Sequence, residues 1–143
     1  MIPMLKTPVD KFASMALVTI DADATIMEAA QRLHKEAVSQ LVVKERREVV
    51  GIISNKDIIN RVIAKGRDPK KTFVRQAMTK KLVTIDAKAT LILVAHLMHK
   101  KKKKRILIEK NGKIRGIITQ TDLIRLFSKT RNATWMKKHT KSL

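Results

Sequence analysis

The chain contains one unit written twice. Leu17-Val18-Thr19-Ile20-Asp21-Ala22 returns letter for letter as Leu82-Val83-Thr84-Ile85-Asp86-Ala87, 65 residues later. The offset holds without a gap for about 46 residues, pairing Ala24-Thr25 with Ala89-Thr90, His34-Lys35 with His99-Lys100, Gly51-Ile52-Ile53 with Gly116-Ile117-Ile118, and Asp57 with Asp122. About a third of the aligned positions are identical, so the 143 residues hold two copies of a small unit rather than one larger fold. A unit of about 60 residues buries little surface and would be marginal alone. Two related by a local twofold could share one core.

Each copy reads as strand, helix, strand, strand, helix, which predicts a mixed α+β fold. In the first, Leu17–Ile20 is a short β-branched strand. Thr25-x-x-Glu28 is a capping-box start for a helix with Ile26, Ala29, Ala30, Leu33 and Ala37 on one face. Strands follow at Leu41–Lys44 and Glu48–Ile53, turning at Arg46-Arg47, where the second copy has the hairpin signal Asn111-Gly112. A second amphipathic helix carries Ile58, Ile59, Val62 and Ile63. Lys65-Gly66-Arg67-Asp68-Pro69-Lys70-Lys71 stops it and serves as the linker. The expected organisation is a first repeat over 9–66, a second over 74–130 and a basic tail over 131–143.

Charge narrows the partners. Thirty-two Lys and Arg against 12 Asp and Glu give +20, an excess that suggests an anionic partner such as nucleic acid, nucleotide or membrane surface. Only Phe12, Phe73, Phe127 and Trp135 are aromatic, too few for a platform that stacks single-stranded bases. The excess is also unevenly spread. Residues 17–62 hold seven basic and seven acidic side chains, whereas 82–127 hold eleven and three. The rest lies in the linker and tail. Lys100 to Lys104, followed by Arg105, has two readings: a solvated helix end whose lysines encircle the axis, or a contact with nucleic acid or an acidic protein. The tail from Lys129 to Lys141 could join such a surface, with Trp135 read first as a packing residue at a dimer contact.

Several function classes drop out. With no cysteine, disulfides, thiolate nucleophiles and thiolate-held metals are excluded. The longest apolar run, Leu91–Ala95, is far short of the ~20 residues that span a bilayer, and residues 1–6 lack the apolar core of a signal peptide. A soluble, cytoplasmic protein without a membrane partner is expected. His96-x-x-His99 has no third ligand type nearby, so no metal site is expected. No nucleophile–base pair or Gly-rich phosphate loop is present, and no enzyme is expected.

The strongest local signal is the repeated Gly51-Ile52-Ile53-Ser54-Asn55-Lys56-Asp57 and Gly116-Ile117-Ile118-Thr119-Gln120-Thr121-Asp122. An apolar strand runs into a helix with a hydroxyl at the N-cap and Asp at the third helical position. These residues can simply cap the helix. The same geometry also suits a ligand, since a helix start attracts phosphate and a carboxylate there can accept both hydroxyl protons of a ribose.

With their hVThx-x-x-xTh-x-x-A openings, the two copies resemble tandem CBS (cystathionine-β-synthase-type) domains, the pair often called a Bateman module, over residues 9–127. The resemblance implies two such repeats packed as a pseudo-twofold pair with two shared clefts, each typically binding AMP, ADP, ATP or S-adenosylmethionine. Carried over by position, one cleft would combine Ser54, Lys56 and Asp57 with Val83, Lys104 and Arg105. The other would combine Thr119 and Asp122 with Val18, Ser39 and Gln40. Ile53 and Ile118 would supply apolar surface beneath the base. Lys56, Lys104 and Arg105 put three cations around one phosphate position, so the Asp57 cleft is expected to prefer phosphate-bearing nucleotides and the Asp122 cleft to be weaker, empty or suited to a less charged adenosine compound. The expected function is a stand-alone regulatory module that senses AMP, ADP or ATP, has no cofactor, forms a homodimer and acts on an unknown effector protein. A second reading is a basic nucleic-acid-binding protein on a CBS scaffold with vestigial clefts, and a third is a sensor of S-adenosylmethionine.

Overall fold

A computed structural model describes residues 5–128 together with Lys138 and Thr140; Trp135 and the rest of the basic tail lie outside the described residues. The first repeat forms β1 (Thr19–Asp21), α1 (Ile26–Glu36), β2 (Gln40–Glu45), β3 (Glu48–Ser54) and α2 (Asn55–Ile58), which continues as a π-helical turn over Ile59–Ile63. A one-turn α3 (Val74–Ala77) follows. The second repeat forms β4 (Thr84–Asp86), α4 (Leu91–Lys101), β5 (Arg105–Lys110), β6 (Lys113–Thr119) and α5 (Gln120–Ser128). The chain divides into two compact units: Ala16–Leu82, and Val83 onward together with the residues up to Met15.

Each unit has one three-stranded sheet with the second strand central. β1 pairs with β2 in parallel and β2 with β3 antiparallel; β4, β5 and β6 repeat the arrangement. A central strand covered on both faces needs a continuous apolar run rather than alternation. Leu41-Val42-Val43 and Ile106-Leu107-Ile108 supply it, and all six are buried. The units have a buried cluster each, one around Ile26, Leu33, Leu41 and Ile53, the other around Leu91, Val94, Ile106 and Ile118.

Capping follows the sequence closely. The Glu28 amide donates to Thr25 Oγ1 at 3.2 Å while the Thr25 amide donates to Glu28 Oε2 at 2.8 Å. In the second repeat Leu93 stands where Glu28 would be, and Thr90 makes no side-chain cap. α1 ends one residue sooner than its apolar stripe suggests. Ala37 is exposed and left-handed, with φ 53°, and its amide and that of Val38 close onto the His34 and Leu33 carbonyls. Lys102 does the same at φ 52°.

The second helix differs from its expected face. Ile58 and Val62 are buried, but Ile59 and Ile63 are more than half exposed. The Ala64 amide bonds the Ile59 carbonyl five residues back, and this widened turn brings only Ile58 and Val62 onto the core. The segment read as a linker is also part of the unit. Pro69 and Thr72 carbonyls accept the Met27 and Ile26 amides at 2.9 and 2.8 Å, which satisfies the open start of α1.

The repeat extends further back than the letters show. Val74 and Ala77 of α3 enter the first core, and Val9, at the matching position of a 3-10 turn over Val9–Lys11, enters the second. Phe73 bridges Thr25 as Pro8 bridges Thr90, and Thr79 bridges Ile52 as Ser14 bridges Ile117. One tie between these segments and the sheet is preserved with its charges exchanged. Arg75 donates to Asp23 Oδ1 at 2.9 Å and to Glu45 Oε1 at 2.8 Å. At the equivalent place Asp10 faces Lys110 Nζ at 3.8 Å. The hydrogen bonds to Glu45, then to Asp23, hold the Arg75 pKa above its ordinary value, so the guanidinium stays charged at any working pH.

Candidate functional site

The two strand-to-helix junctions form in the same way. β3 delivers Ser54 as N-cap of α2: its amide donates to Asp57 Oδ2 at 3.0 Å, and the Asp57 amide donates to Ser54 Oγ at 3.2 Å. At the end of β6 the Thr119 amide donates to Asp122 Oδ2 at 2.8 Å and the Asp122 amide to Thr119 Oγ1 at 3.2 Å. The capping reading is therefore correct, and it uses one oxygen of each carboxylate. The other oxygen, Oδ1, faces an arginine at 3.6 Å, Arg61 beside Asp57 and Arg125 beside Asp122. That spacing is an ion pair beyond hydrogen-bond reach, which leaves lone pairs for hydroxyl donors. The Asp57 side chain is 15% exposed and that of Asp122 25%.

The arginines were not among the residues expected from the motif, although an Arg three or four positions after an Asp on a helix is a readable signal. Arg61 is also anchored, donating to the Ala77 carbonyl at 2.8 Å and to Thr79 Oγ1 at 3.3 Å. Arg125 is 64% exposed at its side chain.

The remaining expected residues gather at the same end of their own sheet. In the first unit Gln40 lies opposite Ser54, the Asn55 amide bonds the Ser39 carbonyl at 3.0 Å, and the Val18 carbonyl accepts the Val42 amide at 2.9 Å. Lys56 is exposed beside them. In the second unit Arg105 lies opposite Thr119, the Gln120 amide bonds the Lys104 carbonyl at 2.8 Å, and the Val83 carbonyl accepts the Leu107 amide at 2.9 Å. Within its unit, then, Asp122 shares its end of the sheet with Lys104 and Arg105, and Asp57 shares its own with Ser39 and Gln40. Ile53 and Ile118 are wholly buried in the two cores and offer no surface, because alternation along a strand turns them inward.

The lysines do not encircle a helix. α4 ends at Lys101, Lys102 takes the left-handed cap, and the chain turns back through Lys103 and Lys104 toward the start of α5. Among the described residues no group of three or more His, Asp or Glu is placed to hold a metal ion, and no helix is long and apolar enough to cross a membrane.

Residues 9–64 and 74–129 each match the model of the CBS domain. The chain belongs to the CBS-domain family. Among its relatives is the protein MJ0450 of Methanocaldococcus jannaschii, 32% identical over 112 residues that cover 76% of this chain and 60% of that protein. The chain thus spans under two thirds of that relative's length, and 64% of that of MK0525 of Methanopyrus kandleri. A solved structure of a conserved Pyrococcus horikoshii protein is 32% identical with a TM-score of 0.80, covering 90% of this chain and 96% of that one. The CBS-domain pair of MJ0100, solved with 5′-methylthioadenosine and S-adenosyl-L-methionine, is 27% identical with a TM-score of 0.77, covering 87% and 98%.

Proposed function

We propose that this CBS pair is a regulatory module that binds AMP, ADP or ATP and passes the binding state to an effector protein. The observation that carries the proposal is the doubled hydroxyl–carboxylate junction, in which both Asp57 and Asp122 keep one oxygen outside the capping box. A carboxylate so placed can accept the two hydroxyls of a ribose, while Lys56, Lys104 and Arg105 supply charge for phosphates in the cleft that the family resemblance assigns to Asp57. S-adenosylmethionine is the second reading, favoured by the ligands of the MJ0100 pair. The exposed Ile59, Ile63 and Ile124 support assembly with a second copy. A ligand would bias conformation only by its differential affinity for the available states.

Thermal unfolding and calorimetric titration with AMP, ADP, ATP and S-adenosylmethionine test this. The expected result is saturable, stoichiometric binding of a phosphate-bearing nucleotide that is lost in Asp57→Ala. Loss in Asp122→Ala alone would reverse the assignment. Binding to polynucleotides that falls steeply with salt and survives Asp57→Ala, without nucleotide binding, would favour a nucleic-acid-binding protein instead.

A further inference from the structure

Beside the turn-back of the lysine run, the second unit has a groove of about 440 Å³ between the end of α4 and the start of α5. Its floor is apolar, formed by Ala95, Met98 and Leu123, and its rim carries His99, Lys102 and Lys103. Among the described residues no acidic side chain lines it. The first repeat serves as an internal control for what the scaffold needs. At the matching positions it keeps the floor, with Ala30, Leu33 and Ile58, and keeps His34, but has Ala37 and Val38 where the lysines stand. The backbone is the same at the cap, φ 53° at Ala37 and 52° at Lys102. The fold therefore does not require the two lysines.

We propose that this groove is a docking site for an acidic segment of a partner protein, one with an apolar side chain flanked by carboxylates. Lys102 and Lys103, joined by Lys104 at the groove wall, exceed what a single carboxylate would neutralise, so the occupant carries several charges along its length. The apolar floor disfavours a bare phosphate backbone, and among the described residues no Phe or Trp lines the groove to stack a base. Residues 129–143 of this chain carry five cations and no acid, so they are repelled by the rim. The proposal shares Lys104 with the adenosine reading and otherwise rests on Lys102, Lys103 and the apolar floor.

Its test is fluorescence anisotropy with the full chain and a labelled peptide in which Asp and Glu flank one Leu. A Leu-to-Ser version of the peptide and a single-stranded oligonucleotide serve as competitors. Lys102→Ala with Lys103→Val, the residues that the first repeat carries, should weaken the peptide about tenfold or more while leaving thermal unfolding and nucleotide binding unchanged. Ala95→Glu, an exposed position on α4, should weaken it comparably. Asp57→Ala and Asp122→Ala should retain the peptide. Equal affinity for the Leu and Ser peptides would overturn the proposal. So would unchanged peptide affinity in the double variant, an oligonucleotide that competes as strongly as the peptide, or a change in oligomeric state in the double variant that showed a second copy filling the groove.

Discussion

A methyl group added at Gly51 would lie 2.8 Å from the Met78 sulfur and 2.9 Å from the Thr79 carbonyl oxygen. At Gly116 it would meet Met15 and Ser14 at 2.6 and 2.8 Å. A methionine can swing aside, but the carbonyl belongs to the backbone that bridges the neighbouring strand. Gly51→Ala should therefore cost about 1–3 kcal/mol by overpacking, read as a lower urea midpoint at unchanged m-value. An unaltered midpoint would mean that the crossing segment yields to the added methyl group. The glycine was visible in the motif, yet its cause was not, since the crowding atoms come from a segment distant in sequence. Ser54 and Asp57 were legible for the opposite reason: a capping box is closed within four residues, so local order shows it. The same holds for Arg61 in principle, but its second role, tying α2 to the Ala77 carbonyl, depends on a tertiary contact.

The hairpins show how one element tolerates different residues. Arg46 and Arg47 both have positive φ, 49° and 68°, the geometry that Asn111 and Gly112 adopt at 53° and 75°. Side chains with a β-carbon are disfavoured there. Replacing Arg46-Arg47 with Asn-Gly should raise stability by about 1–2 kcal/mol, seen as a higher midpoint of thermal unfolding; no gain would indicate that the arginines hold compensating contacts. Strands and α1 were legible to within a residue or two because period and capping agree. The short α3 and the Val9–Lys11 turn were not, since one turn is too brief to show a period and Val74-Arg75-Gln76 shares little with Val9-Asp10-Lys11 beyond its valine. The charge-exchanged tie hid them further, because a comparison of letters scores Arg75 against Asp10 as a mismatch while the contact is kept. The π-helical turn was equally hidden, so Ile59 and Ile63 read as core.

Across the whole molecule, the net charge of +20 first pointed to a polyanion. The structure gathers part of that excess at the groove wall and at the start of β5, where it accompanies defined positions rather than a uniform surface. The division into units cuts the chain at Met15 and Leu82, not at the ends of the letter repeat. Val9 is fully buried in the second core, so Val9→Ala should cost about 2 kcal/mol. Hydrogen exchange locates the effect: amides of 83–128 should lose protection while those of 16–82 keep theirs, and equal loss in both would deny the units separate stability. This division also sets an order in time. During synthesis Ala16–Leu82 is contiguous and can close once α3 and Thr79 have emerged. Pro8 to Ser14, made before that unit, find Ala87 and Ala89, Thr90 and Ile117 only after it has been synthesised. At about 5–20 residues per second they wait several seconds for their place, with Val9 and Phe12 uncovered and available to chaperones.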